Sequence, residues 1–313
     1  MSFVKILVPV DFSYHANGAL QLAIYLANRW GAAVSILHVD PLPGVSTHAI
    51  EPMYIAPQVF AGLHAEHDAS VESGLKELCA DFAPLAGDGV ELTSVRKRGD
   101  AVPGIVEFAS EWHADLIVMG AQGIDGIGQW LLGSTADRVS RIAPCPVLIA
   151  GRSDASDAAP RTFERVIAAI DYSEFSEPVA LAAASVVEPD GVLEFAHVWN
   201  PPHVSALSAS LGGEHEGLVS MVERARTAQA EDIQSFSAAL DLEHANVDHF
   251  IGVGSPAGAL IERARESDAD LLVLGAHSST SVGERILGTV ADKVLRQITI
   301  PVLLCPREAL PSD

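Results

Sequence analysis

Short runs of consecutive apolar residues alternate along this chain with longer stretches in which apolar residues recur every three or four positions. A continuous apolar run bounded by turn residues reads as a strand covered on both faces. The three-to-four spacing reads as an amphipathic helix. In the first half this predicts strand 3–10, helix 15–29 and strand 33–39, then a long loop at 40–57 holding Pro41, Pro43, Pro52 and Pro57. Helix 59–83, strand 90–97, helix 102–112 and strand 115–119 follow. A glycine-rich loop then leads to helix 134–142 and strand 146–150. The second half repeats the order: strand 165–170, helix 175–187, strand 192–198, helix 217–240, strand 246–251, helix 256–267, strand 270–274, helix 289–297 and strand 301–305. Strands alternating with helices imply a parallel sheet with right-handed crossovers, whose ligands sit beyond the carboxyl ends of the strands. Asp11, Val39 and Gly120 fall at such ends.

The two halves are copies of one domain. VKILVPVDFS (Val4 to Ser13) lies over ERVIAAIDYS (Glu164 to Ser173), and His38 lies over His197. HADLIVMGAQG (His113 to Gly123) matches DADLLVLGAHS (Asp268 to Ser278). LLGSTADRVSRIAPCPVLIA (Leu131 to Ala150) matches ILGTVADKVLRQITIPVLLC (Ile286 to Cys305). The offset drifts only from 160 to 155 along these blocks, a domain-sized period rather than a solenoid repeat. The small, polar junction from Gly151 to Arg161 reads as a linker. The expected organisation is therefore a domain at 1–151, a linker at 152–161 and a domain at 162–313.

Composition agrees with two packed α/β domains. Apolar residues make up 49% of the 313 positions and charged ones 19%. The formal charge of −22 argues for solubility and against general binding of nucleic acid or anionic membrane. The start MSFVKILVPVDFS lacks signal-peptide features, and no apolar stretch is long enough to span a bilayer. Cys79, Cys145 and Cys305 are far apart without metal spacing, which fits reduced thiols in a cytoplasm.

The candidate chemistry lies in one loop. Gly120 ends an apolar strand, Gly123 allows a second tight turn, and nine residues later Gly133 precedes Ser134 and Thr135 at a helix start. Glycines let backbone approach a ligand, and a helix N-terminus with two hydroxyls favours an anion. The same residues also permit a reading without ligand, in which Gly ends a strand and Ser caps a helix. The loop is neither a Walker loop nor the usual dinucleotide fingerprint.

Gly-x2-Gly-x9-Gly-Ser/Thr followed by a helix and Pro144-Cys145-Pro146-Val147 resembles the universal stress protein family. So do Val10-Asp11-Phe12-Ser13, the His38-Val39 strand end and Gly99-Asp100. The resemblance covers both halves. It implies an α/β fold of two tandem, doubly wound, five-stranded parallel-sheet domains. These would be Rossmann-like, of the adenine nucleotide alpha hydrolase type. It further implies that Pro9, Val10 and Asp11 face adenosine, with Asp11 accepting from the ribose. Val39 would meet the adenine edge. Met119, Gly120 and Ala121 would flank the ribose, and Gly123, Gly133, Ser134 and Thr135 would hold phosphates of ATP, ADP or AMP. Asp11 is alternatively a helix N-cap, as is Ser13. Relatives often carry a basic residue in the nine-residue segment. Here Ile124 to Trp130 is acidic or neutral, which puts the hold on a terminal phosphate in question or calls for Mg2+.

The second copy departs further. Asp171, Val198, Gly275, Gly288 and Thr289 keep the matched positions, but Ser278 replaces the second glycine and Val290 the second hydroxyl. A non-glycine residue with positive φ costs roughly 1 kcal/mol or more. Arg285 is available to a phosphate. The expectation is an altered site, more structural than nucleotide-competent.

Other groups have plainer readings. His64, His67 and Asp68 on one helix read as a solvated polar face rather than a metal site. His38 and His197 read as hydrogen-bonded core histidines. Cys145 reads as a small apolar residue, and Val71 to Phe82 as an amphipathic face packed on the sheet. No general base is evident. The resemblance thus implies a cytoplasmic stress-response sensor or regulator holding an adenine nucleotide mainly in its first domain. Its final strands would pair domains, within the chain or as a homodimer, and a regulatory protein partner is unspecified. A slow Mg2+-dependent ATPase and a nucleotide-independent chaperone-like module are the alternatives.

Overall fold

The computed structural model describes residues 3–41, 57–122, 132–151, 162–199, 215–240, 242, 246–276 and 287–306. The chain divides into two compact units, one within Ser2–Pro160 and the other within Arg161–Asp313.

In the first unit β1 (Lys5–Pro9), β2 (Ala33–Asp40), β3 (Leu92–Arg98), β4 (Leu116–Gly120) and β5 (Val147–Ala150) form a parallel sheet ordered β3-β2-β1-β4-β5. Four helices connect them: α1 (Tyr14–Trp30), α2 (Pro57–Phe82), α3 (Ala101–Trp112) and α4 (Ser134–Ile142). The second unit repeats this with β6 (Arg165–Ala169), β7 (Val192–Trp199), β8 (Asn246–Val253), β9 (Leu271–Gly275) and β10 (Val302–Cys305), ordered β8-β7-β6-β9-β10. Its helices are α5 (Ser176–Val186), α6 (His215–Ala238), α7 (Pro256–Glu266) and α8 (Thr289–Leu295). The elements are those expected from the sequence, with ends displaced by a few residues. The strand order reverses beside β1 and β6, so each crevice opens between β1 and β4 or between β6 and β9.

The central strands are continuous apolar runs because both their faces are covered. Ile6, Leu7 and Val8 are fully buried, as are Leu116, Ile117 and Val118. Helix α1 packs on β1, β4 and β5 through small residues, Ala16, Ala19, Ala23 and Ala27, which let it approach closely. Ser13 caps it by accepting from the Ala16 N–H at 3.2 Å, and Gly31 ends it in the left-handed region at φ 66°. Ser13→Ala is therefore expected to cost about 1 kcal/mol, read as a lower urea midpoint. Val71, Leu75 and Leu78 of α2 are buried, as the amphipathic pattern predicts.

The duplication also marks the backbone. Among the described residues, the non-glycine residues with positive φ come in matched pairs: Phe12 (61°) with Tyr172 (57°), and His113 (54°) with Asp268 (50°). The first pair turns the chain from strand into helix just after Asp11 or Asp171. One core position differs sharply. Ser35 of β2 is matched by Glu194 of β7, and both are buried. Arg263 of α7 forks onto Glu194, with Nε 2.9 Å from Oε1 and 3.1 Å from Oε2 and a further bond from Nη2 to Oε2.

Candidate functional site: the two strand-end crevices

The first crevice begins where β1 ends. Val10 donates its N–H to the Leu37 carbonyl at 2.8 Å, and His38 donates Nδ1–H to the Val10 carbonyl at 2.9 Å. A carbonyl only accepts, so the hydrogen bond assigns the proton to Nδ1. The Phe12 ring lies 4.7 Å from that imidazole, centroid to centroid. His38 is thus a hydrogen-bonded histidine tying β1 to β2. His197 repeats the arrangement on the Ile170 carbonyl at 3.0 Å, with Tyr172 as its ring partner. Asp11 Oδ1 accepts the Ser13 N–H at 3.0 Å, a local turn that aims the segment over the strand end. Ser13, not Asp11, is the helix cap.

Across the crevice, β4 ends at Gly120 after the buried Met119. A Cβ on Gly120 would stand 2.7 Å from the His15 carbonyl oxygen, so the first turn of α1 approaches to a distance only glycine permits. Ala121 accepts the Gly133 N–H at 2.7 Å, which closes the loop at its base. Gly133 precedes α4 with φ −58° and ψ 142° and gives no side-chain cap. Among the described residues no side chain caps the first amides of α4, beside Ser134 and Thr135, which point toward the crevice end of the helix axis. Gly133 uses no left-handed freedom. Gly123 lies outside the described residues. Val39, at the end of β2, packs on α3: its Cγ1 would be 2.9 Å from a Cβ on Gly104.

In the second unit the matched residues surround a cavity of about 260 Å3, lined by Asp171, Val198, Gly275, Gly288 and Thr289 together with Phe175 and others. Gly288 donates to the Ala276 carbonyl at 2.7 Å, the counterpart of the Gly133–Ala121 bond. Asp171 Oδ1 accepts from the Ser173 N–H at 3.0 Å and from the Ser176 hydroxyl at 3.2 Å. Ser278 and Arg285 lie outside the described residues. Pattern reading missed Phe175 as a lining residue, since an aromatic in a turn carries no periodic signal. Only its place in the cavity wall reveals it.

Pattern reading also missed a polar cluster. Asp40, the last residue of β2, is buried and accepts from His67 Nε2 at 3.0 Å and from Arg96. Arg96 reaches Asp68 at 2.7 Å, and Arg98 bonds Asp68 at 2.5 Å. His67 and Asp68 therefore do more than face solvent, because they dock α2 on β2 and β3. The side chain of His64 lies outside what is described. No group of metal-ligating side chains gathers among the described residues. Burial by itself pushes the Asp40 carboxyl up, but the hydrogen bonds from His67 and Arg96 outweigh it and hold it below its ordinary value. A lowered carboxyl stabilises the fold above the unfolded pKa, about 3.9, and that contribution is lost as pH falls through the folded value. Asp40→Asn should accordingly flatten the loss of stability below roughly pH 4, read from urea midpoints across acid pH.

The two buried cysteines, Cys145 and Cys305, supply no nucleophile at neutral pH. Burial, with Asp115 nearby, pushes the Cys145 thiol up to about 12, and burial does the same to Cys305.

Fold and crevice together define a tandem, doubly wound α/β protein with a glycine-bounded loop before a helix in its first domain. The model of the universal stress protein family matches residues 2–151 and again 162–306. The chain belongs to the universal stress protein family, in its tandem form. A universal stress protein of Mycolicibacterium smegmatis is 26% identical over 96% of both chains. Universal stress protein YxiE of Bacillus subtilis is 33% identical over 47% of this chain and 98% of its own length. Among solved structures, a universal stress protein from Archaeoglobus fulgidus shares the fold, with a TM-score of 0.68 at 22% identity over 97% of this chain and 98% of that one. Among the described residues, no helix is long and apolar enough to cross a membrane.

Proposed function

We propose that the first domain binds ATP or a related adenine nucleotide, ADP or AMP, and that the chain acts as a stress-response sensor or regulator through that occupancy. One observation carries the reading. At Gly120 the strand end and α1 come so close that a Cβ is forbidden, while the Ala121–Gly133 bond closes the loop under the uncapped amides of α4. Backbone donors at a helix start beside a glycine strand end suit a phosphate chain. Asp11 is placed at the opposite strand end, where a carboxylate suits ribose hydroxyls. Pro9 and Val10 line that end, and Val39 offers an apolar edge to the base. Gly123, Ser134 and Thr135 complete the phosphate side, with Mg2+ as the natural counterion where the loop lacks a basic residue. A cytoplasmic location, self-association as a homodimer and a regulatory protein partner belong to the same reading.

Native mass spectrometry of freshly purified chain tests it. An adenine nucleotide should co-purify or titrate in, and Gly123→Val should weaken ATP by about tenfold or more by placing a branched side chain in the phosphate channel. A chain that takes up no adenine nucleotide, or a Gly123→Val variant with unchanged ATP affinity, would overturn the placement.

A further inference from the structure

We propose that the second crevice is a nucleoside-sized pocket that excludes phosphate, with Phe175 and Val290 as the residues that set this preference. The inference rests on the adenine-nucleotide reading for the class of ligand, but it concerns a different site.

Size is the first argument. The cavity holds about 260 Å3. Ligand pockets usually hold about 300–1,000 Å3, so this one suits a base with its sugar and not a polyphosphate chain as well. Charge is the second. Its described lining contains the Asp171 carboxylate and the His197 imidazole but no lysine or arginine. A phosphate placed among these described residues would meet the Asp171 carboxylate as a like charge, in surroundings that are mostly apolar. The third argument compares the two copies. In the first domain His15 stands at the root of the loop, its carbonyl 2.7 Å and its Cβ 2.9 Å from a Cβ on Gly120. Thr135 lies in the first turn of α4. Both side chains carry donors. The matched residues of the second domain are Phe175 and Val290, both in the cavity wall and neither able to donate. Helix α8 also has only seven residues against nine in α4, which shortens the stack of peptide dipoles behind its amides.

What the pocket retains is suited to a sugar. Among the described residues, both hydrogen bonds that Asp171 accepts land on Oδ1, which leaves Oδ2 for a ligand hydroxyl. The carboxylate can then accept from a neighbouring pair of hydroxyls, while Phe175, Val179, Leu260 and Leu274 cover a planar base.

The test is calorimetric titration of the full chain with adenosine and with AMP, with Asp11→Asn present throughout to silence the first site. Adenosine should bind, and AMP should bind about tenfold more weakly or worse. Asp171→Asn, an isosteric change, should weaken adenosine about tenfold, and Val290→Phe should abolish binding by filling the cavity. Thermal unfolding of each variant shows that it is folded. Phe175→His combined with Val290→Thr should shift the preference about tenfold toward AMP, read as the ratio of the AMP and adenosine affinities in the same variant. The proposal is overturned if adenosine does not bind, if AMP binds as tightly, or if adenosine is indifferent to both Asp171→Asn and Val290→Phe. AMP binding that disappears with Arg285→Gln would likewise overturn it, by showing that the pocket accepts phosphate. Failure of ATP to bind the unsubstituted chain would sink the first-domain reading and leave this result standing.

Discussion

Arg263→Met is expected to destabilise the second domain by about 3–5 kcal/mol, the usual cost of removing one partner from a buried ion pair. Glu194 sits on a central strand with no exposed surface, and its carboxylate is held by the Arg263 fork from α7. Methionine would cover similar area but leave an anion in an apolar layer. The cost lies in that orphaned charge and not in the lost attraction. Glu194→Leu with Arg263→Met should therefore recover most of the loss, since an apolar pair of similar volume is often neutral or better. Two-step chemical unfolding of the whole chain reads the result, and a double variant as unstable as the single would refute it. The first domain needs no such pair because serine occupies the matched position. The buried Ser35 hydroxyl has no partner among the described residues, a smaller polar burden than a carboxylate.

Gly120→Ala is expected to damage stability and ligand binding together. The added Cβ would meet a backbone carbonyl at 2.7 Å, and a carbonyl held at the start of a helix cannot rotate aside as a side chain can. Either α1 shifts or β4 ends differently, at a cost of about 1–3 kcal/mol. Because the displaced atoms border the proposed phosphate cradle, ATP affinity should fall by about tenfold or more in the same variant. Gly258→Ala is the control. Its Cβ would find its nearest neighbour at 3.9 Å, within α7, so it should be neutral or stabilising by up to about 1 kcal/mol. Equal effects of the two substitutions on unfolding would show that the close approach at Gly120 is relaxed in solution.

Much of the fold was legible because its signals are local. The continuous apolar runs at 5–9, 116–120, 165–169 and 271–275 became central strands, and Ser13 and Gly31 bracket α1 as cap chemistry requires. The repeat needed only the sequence compared with itself. The hydrogen-bonded reading of His38 and His197 and the apolar reading of Cys145 hold, but both histidines are only half-buried and His197 also lines the second cavity. The site was legible as far as its residues sit at strand ends and helix starts. Asp11, Gly120, Gly133, Asp171, Gly275 and Gly288 all do.

What the sequence could not show involves partners distant along the chain. Asp40 and Arg96 meet because β2 and β3 are neighbours, and His67 and Asp68 join them because α2 crosses those strands. Nothing in the local pattern marks Glu194 as paired, as Arg263 is 69 residues away. The strand-to-helix loops likewise looked alike in the two copies apart from single replacements. By itself, then, the sequence determined the duplication, the alternating elements, the family and the strand-end positions of the candidate residues, because hydrophobic period and turn chemistry act over a few residues. Tertiary structure alone decided that Gly120 must lack a Cβ, that Glu194 must have its arginine, and that Phe175 lines the second pocket. Those facts depend on which elements pack together and how closely, a property of the assembled core.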